Sequence, residues 1–197
     1  MVGTTIDLLR HGELKGGIRY RGNTEAALTN GGRAAMNAVW HRLDGNIDMI
    51  VSSPLSRCRE PAENWARQAG IPCRIEPDIR EMEYGAWEGL SKQEIEARFP
   101  GMLPRWRENP VGMQIPEAER IEDFAQRVTR AWETLVDESA GKHMLVVAHS
   151  GSLRVILAHV LGAPLASTRR FAMSYTSWSR VVIDGGKPHL EFFDRRA

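Results

Sequence analysis

Three short, largely apolar runs constrain what this chain can fold into. Residues 5–9 end abruptly on Arg10-His11-Gly12, residues 49–52 on Ser53-Pro54, and residues 144–148 on His149-Ser150-Gly151. Each suits a buried strand whose C-terminal end delivers polar groups to a loop. Segments with helical spacing lie between them. Residues 12–29 are rich in Gly, Arg and Asn and read as a loop, after which Thr29 can cap a helix through Leu43. Met36, Val39, Trp40 and Leu43 share one face of that helix. Ser53 can cap the next, with Pro54 at the first helical position, where its missing N–H costs nothing. That helix runs to about Gln68 and stops at Gly70, and residues 73–76 form a third short strand. Ser91 and Glu94 make a capping box. Ile121, Phe124, Ala125, Val128, Trp132 and Leu135 recur at helical spacing within 117–137. A mostly apolar helix is expected from about Ser152 to Leu161, and residues 177–183 and 189–193 read as two closing strands.

Strands alternating with helices predict a three-layer α/β/α fold around a mostly parallel sheet. With 197 residues the chain suits one domain over 1–197, and the Trp-, Pro- and Gly-rich stretch 84–116 reads as a small lid-like insertion. A 42% apolar content supports a real core, while a net charge of +1 gives no global steering toward nucleic acid or an anionic membrane. Any positive field used in binding must be local. Cys58 and Cys73 are too few for a disulfide framework and lack zinc-site spacing. The opening MVGTTIDLLRHGE has no signal-peptide pattern, and no run approaches the ~18 apolar residues of a membrane span, so a cytoplasmic protein is expected.

Ligands of such sheets bind beyond the carboxyl ends of the strands, where Arg10, His11, His149 and the 53–57 segment all fall. A histidine there is a good nucleophile when a backbone carbonyl holds one ring nitrogen and the other presents its lone pair. Gly12 lets the chain turn and gives an incoming group room. Arg10 offers a planar fork for phosphate oxygens. Arg57 belongs in the first turn of a helix, where it works against the dipole and needs an anion: a bound phosphate, or Glu60 or Glu63. Two histidines, two arginines and two helix ends converging on one crevice would trap phosphate and lower the pKa of His11. The same charge would stabilise a transferring phosphoryl group. A proton donor for the leaving alcohol is also needed, and Glu81 and Glu83 are both candidates.

Together these segments resemble the histidine phosphatase superfamily, also called phosphoglycerate mutase-like. LLRHGE, YRGNTEAALTNGG, VSSPLSRCREPAE, REMEYGAWEG and VVAHSGSLRVIL occur in the family's order across nearly the whole chain. Within it the chain looks most like the α-ribazole phosphatases, through EMEYGAWEG, Trp106, FAQRV at 124–128 and the terminal SYTSWSRVVI. The resemblance implies a phosphatase that forms a phosphohistidine on His11, with Arg10, Arg57 and His149 holding the phosphate and Glu81, rather than Glu83, donating the proton. It places Arg21, Gly22, Asn23 and Thr24 near the phosphate or substrate. It implies no cofactor and no metal, a small phosphorylated metabolite as partner, and α-ribazole 5′-phosphate and cobalamin nucleotide-loop assembly as the candidate substrate and role. Oligomeric state, a homodimer included, is left open. Three positions depart from the family: Leu14 and Gly17 stand where a hydroxyl and an Asn are common, and Glu25 where Asp is usual.

Two rivals stand beside this reading. A phosphoglycerate mutase would return the phosphoryl group to a second hydroxyl, but the region after Glu81 offers Lys92 and Arg98 rather than an Arg pair. A non-catalytic phosphate-binding protein would not need the full reactive set. His41, His143, His159 and His189 lack ligand spacing. Trp65, Trp132 and Trp178 read as core, and Trp87 and Trp106 as core or substrate mouth.

Overall fold

The computed structural model describes residues 3–43 and 46–196. In chain order the elements are β1 (Thr4–Arg10), α1 (Asn30–Arg42), β2 (Met49–Ser52), α2 (Ser56–Ala69), β3 (Cys73–Ile75), α3 (Lys92–Arg98), α4 (Met102–Glu108), α5 (Ile121–Glu138), β4 (His143–Ala148), α6 (Ser150–Val160), β5 (Trp178–Asp184) and β6 (Lys187–Arg195). The strands form one sheet in the order β3-β2-β4-β1-β5-β6. Pairings among β3, β2, β4 and β1 are parallel, and the two that bring in β5 and β6 are antiparallel.

Side-chain alternation along the strands divides the core into two layers. Ile6, Leu8, Val51, Val146 and Ala148 face α5 and α6, where Phe124, Val128, Trp132, Leu153 and Ile156 are buried against them. Leu9, Ile50, Leu145 and Val147 face the other way, onto Met36 and Val39 of α1 and Ala62 and Trp65 of α2. A sheet covered on both faces needs apolar residues at successive positions, which is why the strands read as continuous runs rather than as alternating ones. The α/β/α expectation holds. Among the described residues no helix is long and apolar enough to cross a membrane.

Asp7 breaks the apolar pattern of β1. It is fully buried, yet it accepts from Trp178 Nε1 at 2.6 Å and Arg180 Nε at 2.9 Å, and lies 2.6 Å from His143 Nε2. Burial pushes its carboxyl up, but the bonds from His143, Arg180 and Trp178 outweigh that and leave it below its ordinary value. The charge pins β4, β1 and β5 together.

Several helix boundaries differ from expectation. α2 begins at Ser56 with Leu55 as its N-cap, not at Pro54 with Ser53. The Ser53 hydroxyl is instead drawn to His149, whose Nε2 lies 2.7 Å away. α6 starts at Ser150 with His149 as N-cap, slightly earlier than expected. α5 starts at Ile121 because its N-cap Arg120 is extended (φ −67°, ψ 142°) and Glu117 further back is left-handed with a φ of 60°, so neither belongs to the helix. In the 84–116 stretch, Trp87 and Trp106 are fully buried, edge to face with ring centroids 5.8 Å apart. Both are core residues.

Candidate active site

The register of β1 on β4 pairs Leu9 with Val147 and Arg10 with Ala148. The next residue of each strand is a histidine, and the His11 N–H continues the ladder to the Ala148 carbonyl at 3.0 Å. Their ring centroids are 5.3 Å apart. His11 Nδ1 lies 2.8 Å from the Gly12 carbonyl, which can only accept, so Nδ1 carries the proton. The neutral ring therefore keeps its lone pair on Nε2. Gly12 is required here by close approach rather than by a turn: a Cβ on it would stand 2.3 Å from the Gly32 carbonyl oxygen at the start of α1.

His149 has the opposite tautomer. Its Nδ1 accepts from Arg57 Nε at 3.2 Å, so Nε2 bears the hydrogen toward Ser53 Oγ. Burial, followed by the charges of Arg10 and Arg57, holds His11 well below the ordinary imidazole value; burial and Arg57 do the same to His149. Cys58, beneath His149, is fully buried and its thiol is pushed up to about 12, which leaves it unreactive.

Arg57 lies in the first turn of α2, as expected, but pairs with neither Glu60 nor Glu63. Its guanidinium donates to the carbonyls of Gly22 at 2.7 Å and Thr24 at 2.9 Å. Arg10 donates to the Met173 carbonyl and lies over the Tyr175 ring, with its buried Nε left without a hydrogen-bond partner. The two helix ends offered to phosphate by the sequence are occupied by carboxylates instead. Glu25 accepts from the Ser56 N–H of α2 at 3.1 Å, and Glu81 from the Gly151 N–H of α6 at 3.0 Å. A carboxylate satisfies such amides and the helix dipole as a phosphate would.

Glu81, Arg10 and His11 line a cavity of about 220 Å³ with Tyr84, Ser150 and Tyr175. Arg21 lines it too, anchored to the Gly17 carbonyl at 2.8 Å. Arg57 and His149 do not line it: both are fully buried, His149 beside His11 and Arg57 against His149. Gly22, Asn23 and Thr24 do not line it. Their backbone turns its carbonyls to Arg57, while Glu88 accepts from the Gly22 N–H at 2.9 Å and the Thr24 hydroxyl at 2.6 Å. Glu88, missed in the sequence, is therefore the tether of this loop. Lys92 reaches the wall and Arg98 does not, but Arg107, Arg154 and Arg169 join it, so the wall is far more basic than the segment after Glu81 suggests. No group of three or more His, Cys, Asp or Glu among the described residues is placed to hold a metal ion.

The fold and site together define an α/β protein with an anion-attracting pocket, built around a neutral, buried imidazole at the carboxyl ends of parallel strands. The model of the histidine phosphatase superfamily (branch 1) matches residues 6–195, and the chain belongs to that superfamily. It is 31% identical over 180 residues to the bifunctional protein Rv2228c of Mycobacterium tuberculosis, covering 89% of this chain and 49% of that one. The chain thus spans about half the length of that relative. It is 30% identical over 183 residues to a probable phosphoglycerate mutase, GpmB, of Yersinia pestis, covering 89% and 83%. Among solved structures, the mycobacterial glucosyl-3-phosphoglycerate phosphatase Rv2419c superposes with a TM-score of 0.87 at 25% identity, covering 98% of this chain and 99% of that one. The α-ribazole phosphatase of Shigella flexneri superposes at 0.85 with 27% identity, covering 98% and 97%.

Proposed function

We propose that the protein hydrolyses small phosphate monoesters in two steps through a phosphohistidine on His11. The observation that carries this reading is the bond from His11 Nδ1–H to the Gly12 carbonyl, which leaves the Nε2 lone pair on a neutral ring in a cationic pocket. In the first step Nε2 bonds to phosphorus as the ester P–O bond breaks, and Glu81 passes its proton to the leaving oxygen. In the second, water attacks phosphorus, Glu81 takes the water proton, and the P–N bond breaks. Arg10, with an unpartnered Nε, meets the phosphoryl oxygens, and Arg57 and His149 stand behind them to balance the charge of the transfer. Arg21 on the facing wall supplies the contact that Leu14 and Gly17 lack, while the 22–24 loop acts indirectly by holding Arg57.

The finer reading, an α-ribazole 5′-phosphate phosphatase of cobalamin assembly, draws support from the motif likeness and the Shigella structure. Release of p-nitrophenol from its phosphate ester, abolished in His11→Ala, tests the activity. After a rapid quench with labelled substrate, the label should be acid-labile, alkali-stable and absent from His11→Ala. Stable label on another side chain overturns the assignment. Conversion of 3-phosphoglycerate to 2-phosphoglycerate with a bisphosphate primer, in place of phosphate release, would mark a mutase.

A further inference from the structure

FAQRV at 124–128 puts a cation inside the fold that the proposed reaction does not use. Arg127, on α5, is buried, with its guanidinium carbon 4.8 Å from the centre of the Phe124 ring. All five of its N–H donors are spent within the chain. Nε and Nη2 donate to the two carboxylate oxygens of Glu119, at 2.6 and 2.8 Å, as a bidentate pair. Nη1 donates to the carbonyls of Asp78 at 2.7 Å and Arg80 at 3.0 Å, and Nη2 also to that of Glu81 at 3.1 Å. Glu119 extends the clamp: its N–H donates to the Glu83 carbonyl at 3.1 Å, and its carboxylate accepts from the Glu83 N–H at 3.4 Å. Residues 81–84 belong to no helix or strand, so no ladder of backbone bonds fixes where Glu81 stands. The Gly151 N–H of α6 holds the far end of the Glu81 side chain, and Arg127 of α5 holds the backbone that carries it.

We propose that Arg127, paired with Glu119, is a positioning residue for the proton donor: it fixes the 78–83 backbone so that the Glu81 carboxylate stands at the leaving oxygen. The proposal rests on the phosphatase reading of His11 with Glu81 as its acid. Arg127 does not line the cavity, so its effect on the reaction passes through Glu81 rather than through substrate. An ion pair that served only to close the fold would need the two bonds to Glu119. The other three go to carbonyls at and just before the acid. Docking of the segment is supplied separately, by Ile79 and Met82 in the apolar core. Without Arg127 the segment therefore stays docked while its backbone is free to shift, and a misplacement of about 1 Å at a reacting group can cost on the order of 10²-fold in rate. A lysine carries three donors on a point charge and cannot span the same set of acceptors.

Two leaving groups compared on one preparation of the intact protein test this, because the ratio of their rates does not depend on the fraction folded. In Arg127→Met, kcat for the alkyl phosphate that wild type turns over fastest should fall, relative to p-nitrophenyl phosphate, by on the order of tenfold or more. KM for both esters, and inhibition by inorganic phosphate, should stay near wild type, since His11, Arg10, Arg57 and His149 are untouched. Arg127→Lys should recover part of the ratio. Glu119→Gln, which keeps one acceptor for the guanidinium, should move it in the same direction by less, and it decides the matter if Arg127→Met does not fold. Added to Glu81→Gln, Arg127→Met should shift the ratio no further, because both act on one proton transfer. A ratio unchanged in the Arg127 and Glu119 variants but shifted in Glu81→Gln overturns the positioning role alone. A ratio unchanged in Glu81→Gln removes the acid on which that role depends, and failure of wild type on p-nitrophenyl phosphate overturns the His11 reading beneath both.

Discussion

Gly151 sets how closely Glu81 can approach the first turn of α6. A Cβ there would lie 2.1 Å from Glu81 Oε1, and the atom in the way is the movable end of a side chain rather than backbone. Gly151→Ala should therefore displace the carboxylate while the fold survives. Turnover of alkyl phosphates should fall by roughly 10–100-fold and that of p-nitrophenyl phosphate much less, because nitrophenolate leaves with little protonation. Glu81→Gln should show the same asymmetry. Equal losses on both substrates in steady-state kinetics would remove Glu81 from the donor role. His11, His149 and Arg57 were legible because adjacent parallel strands bring their carboxyl ends together, whatever the intervening loops do. Glu88 and Arg169 were not, since each reaches the site through an irregular turn without periodicity. Arg154 carried a usable signal: it lies one helical turn beyond Ser150, so placing α6 beside His149 already puts it within reach.

Thr29 ties the first helix to the segment that follows His11. Its Oγ1 accepts from the Gly32 N–H at 2.9 Å and lies 3.2 Å from the Glu13 carboxylate, while its own N–H donates to the Glu13 carbonyl at 2.9 Å. Thr29→Ala should cost about 1 kcal/mol, which in a chain of this size lowers Tm by roughly 2–4 °C, and Thr29→Ser should recover most of it in a calorimetric melt. This cap and the Ser91–Glu94 box were readable because capping is local chemistry within four residues. The start of α2 was not, because its candidate cap hydrogen-bonds across the site to a residue 96 positions away. Asp7 was hidden inside an apolar run for the same reason, its partners lying on β4 and β5. Asp7→Ala should cost about 3 kcal/mol, somewhat below a fully buried pair because His143 and Arg180 remain partly hydrated. Urea unfolding would measure it, and a change below about 0.5 kcal/mol would deny the cluster its role in joining the strands.

At the scale of the molecule, a net charge of +1 conceals a strongly cationic cavity, because carboxylates are distributed over the rest of the chain. The layered fold could be inferred from run lengths alone; the location of the charge depended on tertiary packing. That packing also has a consequence for acid stability. His11 and His149 are buried in their neutral forms, with folded values well below the ordinary 6.5. Below about pH 6.5 the unfolded chain binds protons on both imidazoles that the folded chain refuses. Their contribution is therefore complete above that value and shrinks as pH falls, by at most about 1.4 kcal/mol per pH unit for each ring. Asp7 is depressed in the folded state, so its contribution persists above its unfolded value of 3.8 and is lost only at lower pH. Between pH 7 and 5 the histidine pair should consequently dominate the slope. Stability from urea melts should decline across this window in wild type and much less steeply in His11→Gln/His149→Gln, whatever the double variant's absolute stability. An unchanged slope in that variant would mean that the protons enter elsewhere and that the two rings are not held neutral by the fold.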